Sequence, residues 1–309
     1  MRRAANLQIL SALFLLVTAN FFWAGQGIAV KLLDGHLDPL AIALLPFYGT
    51  ALAGLAFTLA QPSWRTRWRR AWAFRQEFVL VGICGQFIAQ VGMTIGVSWS
   101  LAANGAILSL LIPVLSALIA SWLLRERLTP LRLGCLSLGL IGVLFLAPTP
   151  VRHLPSLIAH SLAGNLLITV GCLGSAFYNV YSRRLLDFFP DLEILFFSYL
   201  ATAIFGIPTL LLFAPHCLSD LARFHLLQWA AFLYLAFVVY WLSMLLFLRA
   251  LRKVDVTVAS ASLYLVPLFG VGFAITLLRE HLAPQTILGS ALVACATLVL
   301  FRFDYAQQG

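Results

Sequence analysis

Residues 113–130, PVLSALIASWLLRERLTP, are repeated at residues 267–284 as PLFGVGFAITLLREHLAP, an offset of 267 − 113 = 154 positions. Eight of the eighteen aligned positions are identical, including both terminal prolines and the Leu-Leu-Arg-Glu run. Each copy is an apolar run that carries a proline and ends in charges before a second proline. A repeat offset of about half the chain length predicts two related halves, which we place at residues 1–150 and 151–309.

The composition predicts a protein that lies in a lipid bilayer. Of the residues, 62% are hydrophobic and 10% are charged, against about 25% charged in ordinary soluble domains. The net charge of +9 does not indicate a nucleic-acid partner, because the arginines lie in short tracts between long apolar runs. The five cysteines form no C-x-x-C pair, so we expect no disulfide framework, metal site or cofactor.

Ten apolar segments are long enough for spanning helices, which need about 20 residues, with a range of about 17–25. The first begins after two arginines as a signal peptide does, but its apolar run is too long and no clean cleavage site follows, so we expect it to be retained. The segments are 8–30, 39–60, 78–96, 103–124, 131–147, 163–183, 192–213, 227–248, 257–278 and 286–302.

The basic residues predict the orientation of these segments. With the N-terminus in the cytoplasm, 16 of the 20 Lys and Arg residues fall on the inner side and 20 − 16 = 4 on the outer side, as the positive-inside rule requires. Five helices per half is an odd number, so the second half enters the membrane upside down. The sequence therefore predicts an all-α integral membrane protein of the inner (plasma) membrane. Its ten transmembrane helices form two inverted five-helix repeats, with both termini cytoplasmic.

The repeat and the ten-helix plan resemble the drug/metabolite transporter superfamily, EamA type. The motif Pro…Leu-Leu-Arg-Glu-x-Leu-x-Pro at the fourth and ninth helices is similar to the family's signature, and Trp23-Ala24-Gly25…Lys31 is similar to its first-helix pattern. The resemblance implies export of metabolites such as amino acids. The family's second helix often carries an arginine, whereas Phe47 and Tyr48 stand in that region here, which argues against a charged-substrate site.

Polar and aromatic side chains within the apolar segments are the candidates for a substrate path, because such groups are costly in lipid unless they pair or line a wet cavity. Gln86 and Gln90 lie one helical turn apart near the bilayer centre, where they either line a cavity or bond neighbouring helices. Tyrosines and tryptophans also act as interfacial anchors, and hydroxyls as packing groups. The predicted substrate-binding residues are Asn20, Trp23, Gln86, Gln90, Ser109, Tyr178, Asn179, Tyr234, Tyr240, Trp241 and Tyr264.

The repeated motif supplies four candidate hinge and gate residues. Pro113 and Pro267 each remove a helical hydrogen bond in the membrane, and we interpret them either as packing kinks or as matched hinges beside a cavity. Glu126 and Glu280 lie at helix ends beside arginines. Each is either a cap or ion pair that holds a helical hairpin, or a gate contact that forms and breaks.

Together these features predict a secondary transporter that works by alternating access and exports a small neutral or zwitterionic solute. No acidic residue lies in the middle of an apolar segment, so no carboxylate is available there to carry a proton for coupled transport. No lysine or arginine lies there to bind a phosphate group of a solute. The alternatives are a membrane-embedded enzyme, a lipid-handling protein, or a transporter for broader drug and metabolite efflux. The sequence shows no enzyme motif. We expect a small-molecule substrate and the lipid bilayer as partners, with an oligomeric state left open and compatible with a monomer.

Overall fold

The computed structural model describes residues 2–100, 108–146, 162–278 and 284–307, and these residues form helices and short connections without any β-strand. In lipid, a helix satisfies every backbone hydrogen bond within one segment. The helices are α1 (Arg2–Ala24), α2 (Gln26–Leu33), α3 (Pro39–Leu59), α4 (Trp64–Ala73), α5 (Arg75–Leu80), α6 (Ile88–Ser98), α7 (Leu111–Leu123), α8 (Pro130–Leu146), α9 (Leu162–Leu185), α10 (Asp191–Phe213), α11 (Cys217–Leu221), α12 (Leu226–Leu233), α13 (Met244–Leu251), α14 (Val256–Ala261), α15 (Leu265–Leu278) and α16 (Pro284–Gln307).

Six helical stretches of the described chain are long and apolar enough to cross a membrane: Leu10–Leu33, Pro39–Leu59, Arg75–Val97, Leu162–Leu185, Asp191–Phe213 and Leu226–Leu251. Four shorter apolar helices accompany them: Leu111–Leu123, Pro130–Phe145, Val256–Gly270 and Ile287–Phe303. These ten stretches overlap the ten apolar segments of the sequence one for one. The prediction of an all-helical membrane protein is therefore confirmed.

The main helix contacts join the first half of the chain to the second. Helix α3 packs on α10, and α8 packs on α16. Helix α1 packs on α13 and α15, and α9 packs on α6 and α7. An offset of 154 residues carries α1 onto α9, α6 onto the α12–α13 segment and α7 onto α15, so each contact of α1 has a counterpart made by α9. In the described part of the chain, helices of the two halves therefore pack against each other at several places.

Glycines allow the α5–α6 segment and α9 to approach until their backbones touch. A Cβ atom placed on Gly174 would lie 2.8 Å from the backbone nitrogen of Ala89 and 2.9 Å from the carbonyl oxygen of Gly85. At the other end of the contact, a Cβ on Gly96 would lie 2.8 Å from the carbonyl oxygen of Gly164. Small residues favour such close crossings in membranes, where van der Waals packing holds helices together.

Two stretches of π-helix interrupt the described α-helices, Val81–Phe87 between α5 and α6, and Tyr234–Ser243 between α12 and α13. The repeat offset carries residues 81–87 onto 235–241, inside the second stretch. Such wide turns are rare and often lie at functional sites. They contain Gln86 and Tyr240, both predicted as substrate-binding residues.

Candidate functional site

Four of the predicted substrate-binding residues meet near the middle of the helix bundle. We call them, with Phe47 and Tyr199, the central cluster: Phe47, Gln86, Gln90, Tyr178, Tyr199 and Tyr240. The ring centroid of Phe47 lies 4.7 Å from that of Tyr199 and 4.8 Å from that of Tyr240. The hydroxyl of Tyr240 donates to the Oε1 atom of Gln90 at 3.2 Å and to the carbonyl oxygen of Ala43 at 3.0 Å.

The other amide of the central cluster also faces a tyrosine. Tyr178 is fully buried, its hydroxyl lies 3.4 Å from the Oγ atom of Ser198, and the side chain of Gln86 is a further hydrogen-bonding neighbour. The ring centroids of Tyr178 and Tyr199 are 6.4 Å apart. Gln86 and Gln90 each therefore face a phenol from the second half of the chain. Gln90 therefore hydrogen-bonds to a helix of the second half, and Gln86 lies beside Tyr178 of that half.

Three other predicted residues lie where α1 meets the second half. The Nδ2 atom of Asn20 donates to the Oγ atom of Ser262 at 2.9 Å, and its Oδ1 atom is buried without a hydrogen-bond partner among the described residues. Trp23 and Tyr234 each donate to a backbone carbonyl across the contact between α1 and the second π-helical stretch, at 3.2 and 2.8 Å. These residues form a separate polar seam, outside the central cluster.

Three more of the predicted substrate-binding residues, Ser109, Asn179 and Tyr264, lie around α7. Tyr264 donates to the carbonyl oxygen of Leu110 at 3.4 Å, and the Nδ2 atom of Asn179 donates to the Oγ atom of Ser116 at 3.4 Å. Ser109 is half-buried in the turn of helix that precedes α7. Each of the two bonds joins the first half of the chain to the second. They therefore hold the halves together at this level of the bundle.

Trp241 lies elsewhere, in a pocket between α3 and α10 that the sequence did not predict and that we call the α3–α10 pocket. Its walls are aromatic, and three further side chains add hydroxyl and amide groups. Tyr199 belongs to both this pocket and the central cluster, so the two are adjacent. Its lining includes Thr50, Phe57, Thr58, Gln61, Arg67, Glu193, Phe196, Tyr199 and Trp241.

An ion pair lies at the edge of the α3–α10 pocket. The Nη1 atom of Arg67 in α4 lies 2.8 Å from the Oε1 atom of Glu193 in α10. The Glu193 side chain is only 6% exposed, whereas that of Arg67 is 34% exposed. From the sequence, Arg67 counted only as one of the inner basic residues. The pair was missed because its partners are 126 residues apart.

Glu126 caps a helix of the other half. Its Oε1 atom accepts from the backbone nitrogen of Val256 at 2.7 Å, and its Oε2 atom accepts from the nitrogen and hydroxyl of Thr257 at 3.1 and 2.8 Å. Beside it, Arg132 pairs with Asp255. Burial, and then the nearby charge of Asp255, raise the pKa of Glu126, while its three hydrogen bonds lower it. Glu126 thus joins the α7–α8 connection to the start of α14.

The end of α7 places this carboxylate. Arg125 has a left-handed backbone conformation, with φ at 59°, which is strained for a residue other than glycine. It ends α7 abruptly and turns the following Glu126 toward α14. Glu280, the repeat counterpart of Glu126, lies outside the described residues.

The two prolines lie at junctions between helical pieces. Pro113 is the third residue of α7, directly after a turn at Leu110. Pro267 is the third residue of α15, directly after the 3₁₀ turn Ser262–Tyr264. A proline in the first turn costs the following helix no internal hydrogen bond. Each therefore marks a point where the direction of the helix can change.

The described residues contain no cluster of three or more His, Cys, Asp or Glu side chains able to hold a metal ion. The central cluster and the α3–α10 pocket contain hydrogen-bonding groups, aromatic rings and one ion pair.

The sequence model of the EamA-like transporter family matches residues 10–147 and 162–302. A "Probable terminal-alkyne amino-acid exporter" of Streptantibioticus cattleyicolor is 23% identical over 96% of this chain and 95% of that protein. The "Uncharacterized transporter YetK" of Bacillus subtilis is 25% identical over 71% of this chain and 66% of that protein. An "Uncharacterized transporter" of Archaeoglobus fulgidus is 25% identical over 86% of this chain and 89% of that protein.

A solved crystal structure of another protein has the same fold. It superposes with a TM-score of 0.75 over 97% of this chain and 99% of that chain, at 19% sequence identity. At that level of identity the similarity concerns the arrangement of helices only.

Proposed function

The chain belongs to the EamA-like transporter family, and from this premise we propose that it exports a small neutral or zwitterionic metabolite, such as an amino acid, by alternating access. The observation that carries the substrate class is the central cluster. Its two amides and three phenols supply hydrogen bonds without a net charge, at a place where helices of both halves meet. The name of the Streptantibioticus cattleyicolor relative supports amino-acid export.

We also propose that the protein is built of ten transmembrane helices in two inverted repeats, at residues 1–150 and 151–309. Three observations support this arrangement. The family model matches once in each half, the first π-helical stretch falls inside the second when shifted by the 154 residues of the repeated motif, and the contacts of α1 have counterparts made by α9. Repeats of opposite orientation place the substrate site between the halves.

Alternating access follows from this arrangement. We propose Pro113 and Pro267 as matched points of bending and Glu126 as an inner contact that opens during the cycle. Glu280 is its outer counterpart by sequence. The halves would then rock about the central cluster, which stays near the bilayer midplane.

Counterflow in proteoliposomes tests the function. Vesicles preloaded with one common L-amino acid are expected to accumulate the same radiolabelled amino acid for at least one member of the series. The double variant Gln86→Leu/Gln90→Leu preserves side-chain volume but removes both amides, so we expect it to fold and to lose counterflow. Release of a chemically altered product would identify an enzyme instead. Movement of labelled lipid without any solute would identify a lipid-handling protein.

We further propose that the protein lies in the inner membrane with both termini in the cytoplasm. Cysteine labelling tests this orientation. Trp72 and Leu226 are both exposed, at 64% and 87%, and the charge distribution places them on opposite sides of the membrane. In a cysteine-free background, a cysteine at Leu226 should react with an impermeant maleimide in intact cells. A cysteine at Trp72 should react only after the membrane is broken. Labelling of both positions in intact cells would contradict the orientation.

A further inference from the structure

We propose that the α3–α10 pocket is the first binding site of the exported solute on the cytoplasmic side, with Arg67 binding its carboxylate and Glu193 its ammonium group. The proposal rests on the export function proposed above. It adds a location and a charge pattern, which require that the solute be a zwitterion with an apolar side chain.

The pocket lies at the cytoplasmic ends of two paired helices. Gln61 follows the last residue of α3 by two positions, and Glu193 is the third residue of α10. In the proposed orientation both ends face the cytoplasm. Helix α4, which carries Arg67, begins at Trp64, soon after the end of α3. A solute from the cytoplasm therefore meets the ion pair before it meets the aromatic wall.

The ion pair is arranged so that a zwitterion can replace it. Arg67 uses Nη1 for Glu193 and Nε for Ser63, at 2.8 and 3.0 Å, and Glu193 uses one of its two carboxylate oxygens. Opening a buried pair is costly when it leaves one charge unpaired. A zwitterion supplies both missing charges at once, and its carboxylate can also take the paired geometry that guanidinium groups favour. A solute with a single charge leaves the other partner of the pair uncompensated.

The cavity between the pocket walls is about 20 Å³, room for about one water, so the walls must separate to admit the apolar part of such a solute. Phe57, Phe196, Tyr199 and Trp241 line the pocket, and aromatic rings bind apolar side chains by burying large areas. Tyr199 also contacts Phe47, at a centroid distance of 4.7 Å. The aromatic wall of the pocket is therefore in contact with the central cluster through Tyr199.

A neighbouring ion pair provides a matched control. Arg249 and Asp191 lie 2.8 Å apart at the same end of α10, two positions before Glu193, and neither lines the pocket. If the Arg67–Glu193 pair only held α4 against α10, neutralising either pair should have comparable consequences. If it binds solute, only its own neutralisation should change the affinity.

Protection of a cysteine at the pocket measures binding directly. Gln61→Cys, in a cysteine-free background, places a thiol on the pocket lining. Its rate of alkylation by a maleimide is measured in phosphatidylcholine nanodiscs, with each common L-amino acid at millimolar concentration. For leucine, isoamylamine keeps the side chain and the ammonium group, and isocaproate keeps the side chain and the carboxylate. We expect protection by at least one apolar amino acid and none by its single-charge analogues.

The variants then assign the charges. Glu193→Gln and Arg67→Gln should each weaken protection by about ten-fold or more, because each removes a charge-assisted hydrogen bond. Asp191→Asn should leave it unchanged. Equal protection by the single-charge analogues, or equal loss in the Asp191→Asn variant, would overturn the proposal and assign the pair a structural role.

Two further measurements distinguish a lipid ligand from a solute, and failure of the pocket proposal from failure of the export function. If phosphatidylethanolamine in the nanodisc protects the thiol without any amino acid, the ammonium ligand is a lipid headgroup and the proposal is wrong. Counterflow by the Gln61→Cys protein without protection would leave the export function standing and reject the pocket. Protection without counterflow would leave the binding site standing and reject the export function.

Discussion

Replacing Gly174 by valine is expected to lower the thermal stability of the folded protein strongly. A Cβ atom at this position would lie 2.8 Å from the backbone nitrogen of Ala89 and 2.9 Å from the carbonyl oxygen of Gly85. Backbone atoms of a packed helix cannot move aside as a flexible side chain can, so α9 must separate from the α5–α6 segment. We expect a loss of about 3 kcal/mol or more, at the upper end of the cost of overpacking.

Gly134→Val is the matched control for this experiment. Gly134 lies inside α8, and a Cβ atom there would meet nothing within 4 Å. Both substitutions place the same β-branched residue in a helix interior, so any difference between them reports the contact rather than helix propensity. Fluorescence-detected size-exclusion chromatography after heating gives the apparent Tm of each variant. Equal Tm values would show that α9 and the α5–α6 segment are not closely packed in the membrane.

The contact between α9 and the α5–α6 segment also shows which parts of the fold could be predicted from the sequence. Lipid requires long apolar helices, so composition and segment length predicted an all-helical membrane protein, and the repeated motif marked the two halves. The sequence did not say which helix lies against which. Glycines at positions such as 85 and 174 permit close approach, but a small residue does not identify its partner.

The candidate site likewise contains some residues that the sequence predicted and others that it did not. Gln90 and Tyr240 were predicted as candidates because polar groups in lipid are costly, yet only the fold brings them to 3.2 Å. Tyr199 was missed because a tyrosine in an apolar run has no periodic signal that separates site from packing. The Arg67–Glu193 pair was missed because positive charge at the inner surface already explained the arginine. The two π-helical stretches have no residue signature of their own, and only their overlap after a shift of 154 residues connects them to the repeat.

Replacing Glu126 by alanine is expected to open the cytoplasmic side of the protein. Glu126 accepts three hydrogen bonds from Val256 and Thr257, so its removal leaves the start of α14 without these acceptors. The α7–α8 connection would then separate from α14 more easily. Ala261 at the end of α14 is buried, at 4% exposure. A cysteine at this position should become reactive toward an impermeant maleimide in inside-out vesicles when Glu126 is alanine.

The variant Glu126→Gln distinguishes hydrogen bonding from charge. Burial and the charge of Asp255 raise the pKa of Glu126, so the folded protein binds this proton more tightly than the unfolded chain does. The stability that this titration contributes is therefore fully present at low pH and is lost as the pH rises through the raised pKa. Glutamine keeps one acceptor oxygen and carries no charge. Its amide nitrogen is a donor and cannot accept the bonds that the second carboxylate oxygen accepts, so glutamine should restore part of the contact and should lack this part of the pH dependence of Tm.

The two variants together decide whether Glu126 is a gate or only a cap. A gate contact must be weak enough to open in each cycle. The surroundings of Glu126 disfavour its charge, so its carboxylate holds α14 only through the hydrogen bonds that its oxygen atoms accept. We therefore expect Glu126→Gln to keep the cysteine at position 261 largely protected and to retain counterflow, whereas Glu126→Ala exposes the cysteine and loses counterflow. Low reactivity of that cysteine in Glu126→Ala, with counterflow at the wild-type rate, would reduce Glu126 to a helix cap that stays closed throughout transport.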